Sequence, residues 1–328
     1  MHRIPFSIFV LCALSSAAHA AEWRVQHIDT PARVTAVEII GGKPQVSAGG
    51  LWYGIVSANG KFKLAFTDVV AKVEQPKDAL RDSRAAVGKR DIARAWLAEP
   101  TTRYDHRILG HDVDAGSVIV ESRDGKQQTV RLKDDAVFED LEPRLADLDG
   151  DGQDEIVVVK SYLKRGSALA VIAANKGKYD VMAETPPIGQ PHAWLNPAGI
   201  ADYNGDGRQD IAFVRMPHAV GALELWTWGA DRKLRKTAEI ADVSNHIAGS
   251  HVLGMSVTAD FDGDGIADLA IPSFDRNKLR ILAFAPQPRE VAAVMLPAKI
   301  VTNLLLVDGN SAIAVGLSDG TLAVIKRD

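Results

Sequence analysis

The chain has 328 residues, 46% hydrophobic and 24% charged, with 38 Lys and Arg against 42 Asp and Glu. This globular composition excludes disordered, collagen-like and low-complexity architectures. A formal net charge of −4 gives no electrostatic basis for gripping nucleic acid or an anionic membrane, so neither is expected as a partner.

The first twenty residues read as a secretory signal peptide. Met1-His2-Arg3 supplies a positive start, Ile4 to Leu14 are apolar apart from Pro5 and Ser7, and small residues lead to Ala18-His19-Ala20. That ending is an A-x-A cleavage signature, and the apolar run is too short to anchor in a bilayer. Cleavage after Ala20 leaves residues 21–328 as one domain, periplasmic or secreted, with no transmembrane anchor. The only cysteine, Cys12, lies in the leader behind Leu11, which is not the small residue a lipobox needs. The mature chain therefore has neither disulfides nor thiolate chemistry.

Trp23 to Asp29 follows as an isolated strand. A first unit runs from Val34 to about Val73, with Leu51–Ser57 and Lys61–Phe66 as a hairpin around Ala58-Asn59-Gly60. Gln75 to Arg90 is polar and charged, read as a surface insertion with one short helical turn. A second unit runs from Ile92 to Leu132, with Ser117–Ser122 and Gln127–Leu132 flanking Arg123-Asp124-Gly125.

Three segments then align without gaps: DLDGDGQDEIVVV from Asp147, DYNGDGRQDIAFV from Asp202 and DFDGDGIADLAIP from Asp260, starting 55 and 58 residues apart. Each opens a repeat, at about 143–184, 198–241 and 255–296, in which apolar runs of strand character are separated by Gly, Asn and Asp turns. From Ile300 to Ile325 the strand–turn rhythm persists with most of the carboxylates gone. No amphipathic helical stretch separates these strands, so a parallel α/β sheet is disfavoured. The fold class is all-β: a β-propeller of about six four-stranded blades, or seven if Gln75–Arg90 holds a short one. The last unit shows three strands, so the strand at Trp23 is expected to join it and close the ring, removing two free edges.

The three loops carry the chemistry. Positions 1, 3, 5 and 9 offer side-chain oxygens, and position 7 offers its backbone carbonyl. These are Asp147, Asp149, Asp151, Gln153 and Glu155; then Asp202, Asn204, Asp206, Arg208 and Asp210; then Asp260, Asp262, Asp264, Ile266 and Asp268. Glycines at positions 4 and 6 permit the positive φ needed to wrap a loop about an ion. Hard oxygen donors in a flexible shell suit Ca²⁺, up to three ions, whereas transition metals call for His or Cys. The second loop has one carboxylate fewer and is expected to be the weakest site. Position 12, the bidentate Glu of an EF-hand, is Val158, Phe213 or Ile271, which excludes EF-hands. A single such loop could be an ordinary Asp/Gly turn; three in register argue for ions.

With these residues the chain resembles the FG-GAP/VCBS-repeat family and is similar to the calcium-binding blades of integrin-α-type propellers, over about residues 143–296. The resemblance implies a propeller with one Ca²⁺ per motif-bearing blade, held by Asp147, Asp149, Asp151, Glu155 and their counterparts. It also implies adhesion or interaction more often than catalysis. The expected activity is thus binding of a protein or polysaccharide partner, without turnover.

Arg103, Tyr104, His106, His192, Trp194, Asn196 and His246 lie in segments leading into blades. Such loops gather on one face of a propeller, so these residues form a candidate ligand-binding group. The alternative function is a polysaccharide-active lyase or hydrolase using the His, Arg and Tyr of this face. No P-loop, HExxH, nucleophile elbow or dinucleotide fingerprint is present. Trp52, Trp96, Trp226 and Trp228 fall within strands and are assigned to the core.

Overall fold

The computed structural model describes residues 23–67 and 74–327; the leader predicted for residues 1–20 lies outside them. Among the described residues there is no helix, and none long and apolar enough to cross a membrane. The strands are β1 (Trp23–Ile28), β2 (Val34–Ile40), β3 (Lys43–Ala48), β4 (Leu51–Ala58) and β5 (Lys61–Phe66). They continue as β6 (Ala86–Val87), β7 (Ile92–Thr101), β8 (Asp114–Ser122), β9 (Gln127–Arg131), β10 (Ala136–Phe138) and β11 (Arg144–Ala146). The repeats supply β12 (Glu155–Tyr162), β13 (Gly166–Asn175), β14 (Lys178–Glu184), β15 (Leu195–Ala201), β16 (Asp210–Arg215), β17 (Ala222–Trp228) and β18 (Leu234–Ile240). The last are β19 (Val257–Ala259), β20 (Asp268–Pro272), β21 (Lys278–Ala283), β22 (Arg289–Met295), β23 (Ile300–Val307), β24 (Ala312–Leu317) and β25 (Leu322–Arg327).

All pairing between these strands is antiparallel. Four sheets are four-stranded: β2-β3-β4-β5, β15-β16-β17-β18, β19-β20-β21-β22 and β1-β25-β24-β23. The fifth holds nine strands, and its pairing divides it into two further meanders, β6 to β9 and β11 to β14, bridged by β10 between β8 and β12. The N-terminal strand β1 pairs with β25 along its whole length, from Trp23 opposite Arg327 to Ile28 opposite Leu322. The isolated strand of the sequence thus supplies the fourth strand of the last unit.

Among the described residues, apolar clusters fuse neighbouring units from the second round to the first. One joins the second and third through Ile92, Val118, Ile156 and Ile172. Others join the third and fourth (Val157, Leu169, Phe213, Trp228), fourth and fifth (Val214, Leu223, Leu269, Ile271), fifth and sixth (Leu279, Ile281, Leu304, Val315), and sixth and first (Leu322, Val324, Val37, Val46). Middle strands such as β12 and β13 are covered on both faces, hence their continuous apolar runs, whereas outer strands such as β14 and β18 keep polar residues toward water. Each fully buried Val, Leu or Ile contributes roughly 1.5–3 kcal/mol. In all three repeats the third and fourth strands carry a register shift at a matching point: Val171/Ile172, Leu225/Trp226 and Ile281/Leu282.

Segments at or near the first strands of the units line two adjoining cavities. A cavity of about 350 Å³ is lined by Thr35, Glu38, Arg84, Glu142, Leu253 and Asn303, and its neighbour of about 300 Å³ adds Arg144, Pro197 and Gly199. Between them the two cavities are lined by residues of all six units.

The segment Gln75–Arg90 departs from its expected role. Ala79 bridges Ala98, Leu80 is buried in the cluster between the second and third units, and Ala86–Val87 is itself β6. Its few apolar residues sit where charged neighbours mask any periodicity. The second unit accordingly begins at Ala86 rather than Ile92. Trp96 and Trp228 are buried as expected, but Trp52 and Trp226 are only partly so.

Candidate metal-binding loops and the opposite loop face

Each acidic loop joins the first and second strands of a repeat, and position 9 is the first residue of the second strand: Glu155 on β12, Asp210 on β16, Asp268 on β20. A rigid strand therefore holds one carboxylate beneath a loop that supplies the rest. The residue at position 2 is an apolar plug, with Leu148, Tyr203 and Phe261 all buried. Its backbone N–H donates to the position 9 carboxylate at 2.8 Å (Leu148 to Glu155), 3.2 Å (Tyr203 to Asp210) and 2.9 Å (Phe261 to Asp268). Position 1 gathers amides of the glycine turn: Gly207 donates to Asp202 Oδ2 at 2.8 Å and Gly265 to Asp260 Oδ2 at 2.9 Å. In the first loop Gly152 donates to Asp147 Oδ2 at 3.1 Å. The glycines at positions 4 and 6 have φ of 76° and 88° in the first loop and 85° and 87° in the third, a conformation closed to most side chains.

In the first loop Asp147, Asp149 and Glu155, and in the third Asp260, Asp262 and Asp268, present ligand oxygens within 4.8 Å of one another. Burial, then the facing carboxylates, pushes Glu155 up to about 7. Burial likewise pushes Asp210 and Asp268 up to about 6. Asp147 has a side chain only 9% exposed, and its buried Oδ1 has no hydrogen-bond partner. An orphaned carboxylate oxygen among other buried acids is costly unless a cation meets it, so the donor set fits a hard divalent ion.

The second loop differs. Asn204 Nδ2 donates to Asp210 Oδ1 at 3.3 Å, and Thr227 Oγ1 donates to the same oxygen. Its buried carboxylate is thereby satisfied from within the protein. The first and third loops have arginines at their rims instead: Arg90 lies 3.5 Å from Asp147 and 3.0 Å from Asp154, while Arg289 Nη2 donates to Asp262 Oδ2 at 2.5 Å. Neither arginine is part of the motif, and only the structure brings them there.

In an antiparallel meander the connections alternate between two ends. The acidic loops occupy one end; the β7–β8, β14–β15, β16–β17 and β18–β19 connections, which hold the candidate aromatic and histidine residues, occupy the other. There His106 and His192 stack at 5.1 Å, and Tyr104 lies 5.7 Å from His106 and 5.3 Å from His192. Glu139 accepts or shares a proton with His106 Nδ1 at 2.7 Å and accepts from Ser161 Oγ at 2.5 Å. Trp194 lies 4.8 Å from His246, which pairs with His218 at 3.0 Å. His246 is fully buried and pushed down to about 3 by that burial, so it is neutral.

Two candidates are not brought into this group. Arg103 donates to the carbonyl of Ala136 and to Asp134, each at 3.0 Å, and Asn196 donates from its buried amide to the carbonyls of Asn245 and Leu253. Glu139 and His218 complete the cluster and carried no repeat signal in the sequence.

A family model described as FG-GAP-like repeat matches residues 147–213 and 202–271. Each match runs from one acidic loop through the strand after the next, so together they span all three loops. Residues 147–271, the stretch that holds the three loops, therefore carry FG-GAP-like repeats. A comparison with curated proteins returns no match.

Proposed function

We propose that the protein is an exported six-bladed β-propeller, stabilised by calcium in its acidic loops, that serves as an interaction module for a protein or glycan partner. The β1–β25 pairing, the apolar clusters that run from the second unit round to the first, and the adjoining cavities lined by all six units support closure of the ring. The observation that carries the calcium role is the orphaned, buried Oδ1 of Asp147 beside Asp149 and Glu155.

The ion would be held by Asp147, Asp149, Asp151, Glu155 and the carbonyl of Gln153, with the matching sets from Asp202 and Asp260. Bound there, it supplies the positive charge that the converging carboxylates lack. The strand residue at position 9 fixes the loop to the sheet, and the plug at position 2 ties it to the core. The role is structural, with binding coupled to folding by mass action. The protein acts by binding rather than turnover. Supporting this, both ring nitrogens of His246 and the side-chain amide N–H groups of Asn196 are spent on internal partners, and Arg103 is anchored to Ala136 and Asp134.

Melting of chelated protein with and without added Ca²⁺, with metal content determined alongside, tests the calcium role. Mass spectrometry of the exported product, expected to begin at Ala21, tests the leader.

A further inference from the structure

Resting on the reading of this protein as an interaction module, we infer that the cleft between the third and fourth units is a binding site for a neutral glycan. The cleft has a volume of about 420 Å³, within the range of small-ligand sites, and its walls come from the β14–β15 connection and from β16, β17 and β18. Its apolar side is Pro187, Ile188 and Phe213 together with Trp226. Trp226 lies nearly parallel to buried Phe213, with ring centroids 6.3 Å apart and 18° between planes, so the indole is backed by the core while remaining partly exposed. A β-bulge between Leu225 and Trp226 sets Lys236 opposite the indole.

The polar side is pre-organised around Glu224, which is buried. It accepts from Arg215 Nε at 2.8 Å and from Trp226 Nε1 at 2.9 Å, and Lys236 stands 3.8 Å away. Lys236 also donates to Glu239 at 2.6 Å, and Arg215 lies 3.8 Å from that same carboxylate. Two features of this network select the occupant. The indole N–H is spent on Glu224, so Trp226 offers its flat face and not the donor that a proline-rich peptide backbone would use. Two cations balance two carboxylates, so the site has no net charge to attract an acidic or basic ligand. An apolar plane beside a rigid array of donors and acceptors matches a pyranose ring, with its C–H face and its ring of hydroxyls.

The test is titration of the calcium-loaded full chain with cellohexaose, maltohexaose and chitohexaose, read by tryptophan fluorescence and calorimetry, with hexagalacturonate and decaproline alongside. At least one neutral hexasaccharide should bind. Trp226→Ala should weaken it by about tenfold or more, as loss of a stacking platform does. Lys236→Ala, at an exposed position that leaves the core intact, should weaken it by a few-fold. Binding of no neutral sugar overturns the inference; so does binding that survives both substitutions, or binding confined to decaproline or hexagalacturonate. Melting of the same preparations with calcium and with chelator reads the calcium role independently. A calcium response without sugar binding therefore rejects the cleft alone.

Discussion

The first and third acidic loops and the second one share a backbone path but solve the same electrostatic problem differently. In the first and third, three carboxylates converge, one of them the buried position 9 acid, and a rim arginine meets only part of their charge. In the second, the amide of Asn204 and the hydroxyl of Thr227 both donate to Asp210, so its buried charge is met from inside the protein. Two differences, Asn in place of Asp at position 3 and Thr227 on the neighbouring strand, convert a site that calls for a cation into one that partly satisfies itself. The loop fold is thus separable from ion demand: the glycine turn and the apolar plug build the loop, and the carboxylate count sets what it asks for.

The largest expected effect comes from removing a ligand at the demanding loops. Asp149→Ala and Asp262→Ala should each lower calcium stoichiometry by one and lower the melting temperature in calcium by about 5 °C, the scale for losing a well-filled site. Asn204→Ala should move neither by a comparable amount. Equal losses at all three loops would erase the contrast.

Acid should shrink the calcium effect. A carboxylate whose folded pKa is raised destabilises the calcium-free fold once ionised. That penalty sets in as pH rises past the ordinary carboxylate range near ~4 and is complete above the raised values. For Asp210 and Asp268 at about 6 and Glu155 at about 7, lowering the pH relieves the calcium-free protein. The same protons compete with calcium for its ligands. The gap in melting temperature between calcium and chelator should be widest near about pH 7.5 and narrow toward about pH 5. A gap that is constant or widens over this window contradicts the assignment.

Asn204→Asp should sharpen the comparison from the other side, strengthening calcium binding at the second loop by up to about tenfold by calorimetry. The smallest effect is expected at Arg289. Its guanidinium holds Asp262, so Arg289→Ala should tighten the third site by a few-fold at low salt. Weaker binding in that variant would make the arginine a support of the loop instead of a competitor.

Much of the fold was legible because the repeat writes it three times. The D-x-D/N-G-D-G spacing places each loop, the apolar run after it marks the second strand, and the missing fourth strand of the last unit points to Trp23. What escaped the sequence lies where contacts join distant segments. Gln75–Arg90 contributes Leu80 and β6 through isolated apolar residues that no period announces. Arg90, in the β6–β7 connection, and Arg289, at the start of β22, reach the loops from outside the motif. Position 2 of the loop carried a readable signal, since Leu148, Tyr203 and Phe261 are all large and apolar, and it marks the plug that binds loop to core. On the opposite face, His106 and His192 do meet, but Arg103 and Asn196 are drawn off by nearby carbonyls. Side-chain direction in such connections depends on neighbours that sequence order does not reveal.

The central claim is that these carboxylates are gathered to hold calcium that stabilises the fold. Calorimetric titration of Ca²⁺ into chelator-stripped protein, paired with its melting curve, tests it most directly. The account predicts saturable binding, strongest at the first and third loops, with a melting temperature that climbs as the sites fill. Absence of heat together with a melting temperature indifferent to calcium would contradict it.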